Sequence, residues 1–199
     1  MMHQYYIIYK PYLVLSQFSS TDGKQCLADF FKVPKNVYPI GRLDYDSEGL
    51  LLLSNDASLN HRLLHPSFKH NRTYWVQVDG AITASAIAQL QQGVAINIDG
   101  KMHRTLPCLA EIMPTEPIVP ERFPPIRVRQ HIPAPWISLT LQEGKNRQVR
   151  KMTAQVGFPT LRLVRYSIEQ LSIGQLQPGQ MLEISKKTIY KKIFHDSTL

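Results

Sequence analysis

The longest uninterrupted apolar stretch of this chain is the short run from Gly49 to Leu53, whose last four residues are all Leu. A helix that crosses a membrane needs roughly 18 such residues or more, so the sequence holds no spanning segment. The run is too short and too continuous for one face of an amphipathic helix, so residues 50–54 read as a strand. Residues 5–9 (YYIIY) read as a second, buried strand. Residues 72–78 (RTYWVQV), rich in β-formers and closed by the turn pair Asp79-Gly80, read as a third. Further strands are expected at 94–98, 101–112, 136–141, 161–168 and 181–184. Helices are expected at 26–31 ahead of Pro34, at 58–65 ahead of Pro66, and around Ile87 and Leu90, where Thr83 can cap and Gly93 can end the helix. Another is expected from an Asn146 cap to Val156, with Gly157 as the stop. Seven of the 14 prolines fall within residues 114–135, which therefore read as an extended loop. Strands mixed with helices, without a regular βαβ period, predict an α+β fold around a mixed sheet.

The length of 199 residues favours one domain, or two tightly packed halves. A hydrophobic content of 43% is that of an ordinary globular protein. Cys26 and Cys108 lie far apart and match neither a disulfide framework nor a zinc site, so both read as reduced core residues. The opening residues Met1 to Tyr5 lack a basic region followed by an apolar stretch, so no secretory signal is expected and the protein is placed in the cytoplasm. Charge says more. Lys and Arg number 23 against 15 Asp and Glu, a net +8, which points to nucleic acid, ribosome or anionic membrane. Between residues 145 and 165 stand six basic residues (Lys145, Arg147, Arg150, Lys151, Arg162, Arg165) and no acidic one. Lys186, Lys187, Lys191 and Lys192 form a second cluster, either a solvated helix face or an RNA contact.

The segment Gly41-Arg42-Leu43-Asp44-Tyr45-Asp46-Ser47-Glu48-Gly49 places carboxylates at alternate positions, like the first half of a calcium loop. Position twelve, where a bidentate Glu belongs, is Asn55, and calcium fails. The segment is then either a polar turn or the seat of a reactive carboxylate. An Asp with an ordinary pKa of about 3.9, lowered further beside an Arg, is a poor general acid but can be a nucleophile or base, including at a sugar C1′. In the segment from Glu143 to Met152, the cations Arg147, Arg150 and Lys151 sit in the first turns of the expected helix, where the dipole opposes them unless an anion is the partner. In RTYWV, Tyr74 and Trp75 point to opposite faces of a strand, and spacing does not say which one is core. His61 and His65 are four apart but lack the Glu of a zinc-protease helix, so no metal is expected. No phosphate-cradling glycine motif is present, so no nucleotide cofactor is expected either.

Taken together, GRLDYDSEGLLLLSND, RTYWVQV, EGKNRQVRKM and GFPTLRLVRYSI resemble, in order, the motifs of the pseudouridine synthases. The nearest branch is that of the ribosomal small-subunit synthase A type, which modifies ribosomal RNA. The PPIR segment (124–127) and residues 136–166 resemble the members that act on large-subunit RNA. The resemblance covers residues 5–184. It implies a mainly antiparallel sheet flanked by helices, with a central RNA-binding cleft. It implies Asp44 as the catalytic aspartate, Arg42 as a base-flipping or RNA-contacting residue, and Tyr74 as the ring that stacks on the target base, which leaves Trp75 for the core. It implies Arg150 as the cation paired with the aspartate and Leu163 as an apolar wall of the base pocket. Lys145, Arg147, Lys151, Arg162 and Arg165 are expected to contact RNA. Arg72 and Ser47 depart from the Lys and Thr of many relatives but keep charge and hydroxyl. With the first strand near Tyr5, no N-terminal S4-type domain is expected.

The implied reaction converts a uridine of large-subunit (23S) ribosomal RNA to pseudouridine, without a cofactor. Rival substrates are another ribosomal or transfer RNA uridine. The rival class is a non-catalytic RNA-binding protein of ribosome assembly. A monomer is expected, since no coiled-coil pattern or spare apolar stripe is evident.

Overall fold

The computed structural model describes residues 3–126 and 129–196, so Arg127, the end of the PPIR segment, lies outside the described residues. In chain order the elements are β1 (Tyr5–Lys10), β2 (Tyr38–Ile40), β3 (Glu48–Ser54), α1 (Ala57–Leu64), β4 (Arg72–Val78), α2 (Ala84–Gln92), β5 (Ala95–Ile98), β6 (Lys101–Arg104), β7 (Leu109–Ile112), β8 (Trp136–Leu141), α3 (Gln148–Gln155), β9 (Thr160–Ile168), β10 (Leu171–Ser172), β11 (Met181–Glu183) and α4 (Lys186–Phe194). This is an α+β protein. The chain gathers into two compact units, one from residues up to His70 together with those from Arg165 onward, the other from Asn71–Val164.

In the first unit β1 lies between β11 and β3, antiparallel to both, and β2 also pairs with β3. Every residue of β1 and β3 is buried, so both faces of these strands are covered. That accounts for their continuous apolar sequences, because a half-exposed strand would alternate. Leu50, Leu51, Leu52 and Leu53 have no exposed surface, and each fully buried side chain contributes roughly 1.5–3 kcal/mol. Asp56 begins α1 by accepting from Ser58 N and Leu59 N at 3.0 and 3.3 Å. Its other oxygen accepts from Tyr5 Oη at 2.7 Å and Tyr190 Oη at 2.8 Å. One buried carboxylate therefore joins β1, α1 and α4. Burial alone would raise its pKa, but the bonds from Tyr5, Tyr190 and Leu59 outweigh burial and hold it below the usual carboxylate value.

In the second unit β8 lies between β4 and β7, antiparallel to both. The side chains of Tyr74, Val76 and Val78 are buried, facing Leu139 and Ile137 of β8. The hairpin β5–β6 and the helices α2 and α3 complete this unit. Thr83 caps α2 through its side chain, and Gly93 ends it with φ 81°. A Cβ at Gly93 would run into the carbonyl oxygen of Thr105, so the position requires glycine.

Several expectations change. Residues 26–31 form only a 3-10 turn over Leu27–Asp29, with Asp29 accepting from Cys26 N at 2.7 Å and closing the turn upon itself. The strand expected over 101–112 is broken in two by a segment containing Pro107, which has no N–H to give a ladder. Helix α3 begins at Gln148 rather than on an Asn146 cap. Arg147 precedes it without a side-chain cap, and Gln148 Oε1 accepts from Lys145 N at 2.9 Å, tying the preceding loop to the first helical residue. The strands β2 and β10 have no clear signal in the sequence. No element is formed between Ile112 and Trp136 among the described residues, as the prolines predict. No helix of the described residues is long and apolar enough to cross a membrane.

Candidate active site

In the first unit, the segment carrying Arg42 and Asp44 leads into β3. Gly41 starts it with φ 73°, and a Cβ there would stand 3.1 Å from Leu64 Cδ2. Arg42 is exposed and Asp44 half-buried. Between them Leu43 is buried and held at both peptide groups by one side chain. Ser16 Oγ donates to Leu43 O at 2.7 Å and accepts from Leu43 N at 3.0 Å. Ser47 N donates to Asp44 O at 3.0 Å, so Asp44 opens a turn that feeds directly into β3. The carboxylate thus sits on a backbone fixed before and after it, while its side chain stays within reach of solvent.

Beneath this segment lies a buried amine that the sequence reading did not single out. Lys10, the last residue of β1, has no exposed surface. Its Nζ donates to Pro11 O at 2.8 Å and Val14 O at 2.7 Å. Burial pushes its pKa down to about 7; Glu48, Asp46 and Asp44 pull it upward, and Arg165 pushes it further down. A charged residue closing an otherwise uncharged buried strand was the available signal. Ser16, in a loop of mixed composition, gave none. Arg165, expected among the RNA contacts, is 5% exposed, and its Nε donates to Leu50 O at 2.8 Å. It braces β3 from within instead of standing on an open basic face.

In the second unit Tyr74 lies on the core face of β4 at 9% exposure. Trp75 is half-buried and faces Ser138, so the expectation that it falls to the core is corrected. The reason is alternation: Val76 and Val78 share the Tyr74 face and fix it as the apolar one, which leaves Trp75 with Thr73 and Gln77. Ahead of α3, Lys145 and Arg147 are exposed, and Arg150 and Lys151 are half-buried on the helix. Arg147 adopts the left-handed conformation, φ 53° and ψ 31°, a conformation that non-glycine residues adopt at a cost of order 1–3 kcal/mol. The loop is held by Glu143, whose Oε1 accepts from Gln148 Nε2 and Leu106 N, each at 2.7 Å. Glu143 Oε2 lies 3.1 Å from His103 Nε2. Leu163 is buried on β9. Arg162, expected to contact RNA, is 6% exposed; its Nη2 donates to Pro120 O at 2.7 Å and its guanidinium lies 5.9 Å from the Trp136 ring centre. Like Arg165, it is occupied internally.

The geometry therefore assigns different chemistry to residues that look alike in sequence. Asp44 is a carboxylate in a fixed yet open position. Lys145, Arg147, Arg150 and Lys151 form a cationic stretch around a helix start that favours anions. No group of three or more His, Cys, Asp or Glu side chains among the described residues is gathered as a metal ion would need. His65 Nδ1 is instead engaged with Ser67 Oγ at 2.7 Å.

Comparison with known proteins adds to this. A family model described as RNA pseudouridylate synthase matches residues 4–155. The chain is 51% identical over 178 residues to a protein of Vibrio parahaemolyticus named ribosomal large subunit pseudouridine synthase E, covering 89% of this chain and 72% of that one. It is 50% identical over 176 residues to a protein of the same name from Xanthomonas campestris, covering 87% of this chain and 91% of the other. A crystal structure of a pseudouridylate synthase matches with a TM-score of 0.77 at 25% identity, over 96% of this chain and 74% of that one.

Proposed function

The chain belongs to the RNA pseudouridylate synthase family, and from that premise we propose that it isomerises a specific uridine of large-subunit ribosomal RNA to pseudouridine. The reaction breaks the N1–C1′ bond and forms a C5–C1′ bond. The proton lost from C5 is balanced by one gained at N1, so neither redox change nor energy input is needed. The uridine must first leave its stack, at a cost of a few kcal/mol. We assign that displacement to Arg42, exposed beside the reacting residue. Tyr74 stacks on the extruded base, a contact worth about 1–3 kcal/mol, and Leu163 lines the apolar side of the base pocket. Asp44 acts on the ribose at C1′, either by attack or by abstracting a neighbouring proton, and frees the uracil to turn and rejoin through C5. Arg150 serves as the cation that the family likeness sets against the aspartate. Lys145, Arg147 and Lys151 hold phosphates.

One observation supports Asp44 above the other carboxylates of its segment. It alone follows the residue that Ser16 pins at both peptide groups, while its side chain remains half-exposed. A nucleophile needs this combination of fixed backbone and reachable oxygen. The whole chain acts as one catalytic domain, in the cytoplasm and as a monomer.

The substrate is tested by carbodiimide mapping with primer extension on large-subunit RNA, small-subunit RNA and transfer RNA treated with the protein. A single new stop confined to large-subunit RNA is expected. A stop in either of the other RNAs overturns the substrate assignment.

A further inference from the structure

Helix α4 carries Lys186, Lys187, Lys191 and Lys192, all exposed, and no carboxylate. Its inner face is fixed by the burial of Ile189, Tyr190 and Ile193, and by the bond from Tyr190 Oη to the buried Asp56. Ser185 caps its start by accepting from Thr188 N at 3.1 Å. The lysines are therefore displayed on a rigid, docked helix and not on a frayed tail.

Part of that display works against the helix itself. Lys186 and Lys187 occupy its first turn, where the dipole is positive and disfavours cations. Lys187 and Lys191 are four apart, so like charges face each other along one side. The Tyr190 ring offsets part of this, with the Lys186 amine 5.1 Å from its centre, and Lys191 and Lys192 stand in the last turn, where the dipole favours them. The acidic residues on either side do not neutralise the face: Glu183 precedes the cap on β11, and Asp196 is paired with Arg62 at 3.2 Å. An anionic partner would convert this local cost into attraction.

The surroundings narrow the mode of contact. Thr188 and Lys192 border a groove of about 480 Å³ walled by Ile7, Leu171, Ile173 and Leu182, with no aromatic ring and no carboxylate among its lining. A surface that reads unpaired bases needs aromatic platforms, and this one has none. The groove is mainly aliphatic, so it is the four exposed ammonium groups of α4 themselves that suit repeated phosphates along a backbone.

On the basis of the function proposed above, we propose that the lysine face of α4 is a second RNA-docking surface, which holds the phosphate backbone of the substrate away from the uridine being modified. It adds affinity and salt dependence without reading sequence, and it leaves the chemical step untouched.

The test compares the full-length protein with the triple variant Lys187→Gln, Lys191→Gln, Lys192→Gln, keeping Lys186 on its ring. Affinity for protein-free large-subunit ribosomal RNA is measured across a salt series, and pseudouridine formation is measured at saturating RNA. Each lost phosphate contact lowers the slope of log affinity against log salt by about 0.7–0.9. A decrease of about 2, a KM raised roughly tenfold or more at 0.1 M salt, and an unchanged kcat are expected. The corresponding triple Lys→Arg variant should retain the native slope. An unchanged slope in the Gln variant overturns the proposal, as does a loss of kcat with KM intact. A wild-type protein that forms no pseudouridine would instead contradict the function on which this surface rests, so the two failures are distinguishable.

Discussion

Lys10 closes a strand of otherwise uncharged residues, and its amine is held where water does not reach it. Its folded pKa of about 7 lies below the value near 10.4 of an unfolded chain. Between those values the native state binds fewer protons than the unfolded state, so this residue makes stability rise as pH increases through that window. Urea midpoints measured from pH 6 to 9 should therefore climb for the wild type relative to Lys10→Met, and parallel curves would contradict the buried amine. Asp56 works at the other end of the scale. Its lowered pKa contributes stability that is present above about pH 3.9 and is lost as pH falls through its folded value. Among the surface cations, Arg147→Ala or Lys151→Ala should each flatten the salt dependence of RNA binding by about one phosphate contact. At this scale Asp44, Tyr74 and Arg150 are candidates because they stand in motifs that resemble those of the family, while spacing alone left their roles open. The residues that hold Asp44 in place were not legible. Ser16 lies 27 positions before Leu43, and a hydroxyl whose partners are backbone atoms that far away leaves no pattern in the sequence.

At the level of elements, β3 is the member on which the first unit depends, since it is buried on both faces and pairs with β1 and β2. Leu52→Ala should cost about 2–5 kcal/mol, read as a shift in the denaturation midpoint. Tyr190→Phe should cost about 1.5–3 kcal/mol, because it removes a hydrogen bond to a buried carboxylate and loosens α4 from α1. Strands rich in Leu, Ile, Tyr and Val were legible from composition alone. The start of α3 was not, because no side chain caps it and the loop before it is instead tied to Gln148, a residue type that gives no capping signal. The facing of β4 was misread at Trp75 for a related reason. The likeness that placed Tyr74 on the target base sent Trp75 to the core, whereas Val76 and Val78 had already marked the opposite face as apolar. Arg162 and Arg165 sit in the middle of β9, where burial, not charge, decides what a guanidinium can reach.

On the scale of the whole molecule, the first unit is assembled from both ends of the chain. A chain ended before Arg165 would lack β11, which pairs with β1, and Tyr190, which holds Asp56. In such a truncation the first unit should fail to fold, and amide-exchange protection of β1 and β3 in it would contradict the division described. The net charge of +8 is likewise a property of the whole chain, but its use is local: some of it is consumed inside by Lys10, Arg162 and Arg165, and some is displayed on α4 and before α3. Charge counting alone could not separate these fates. We propose that Asp44 drives the exchange of a C–N for a C–C bond at uridine. That exchange replaces the hydrogen on C5, so RNA labelled with tritium at uracil C5 must release its label to water during turnover. Large-subunit RNA labelled in this way should lose tritium with the wild-type protein and retain it with Asp44→Ala, while both bind the RNA alike. Release by Asp44→Ala at the wild-type rate would contradict a catalytic role for this carboxylate.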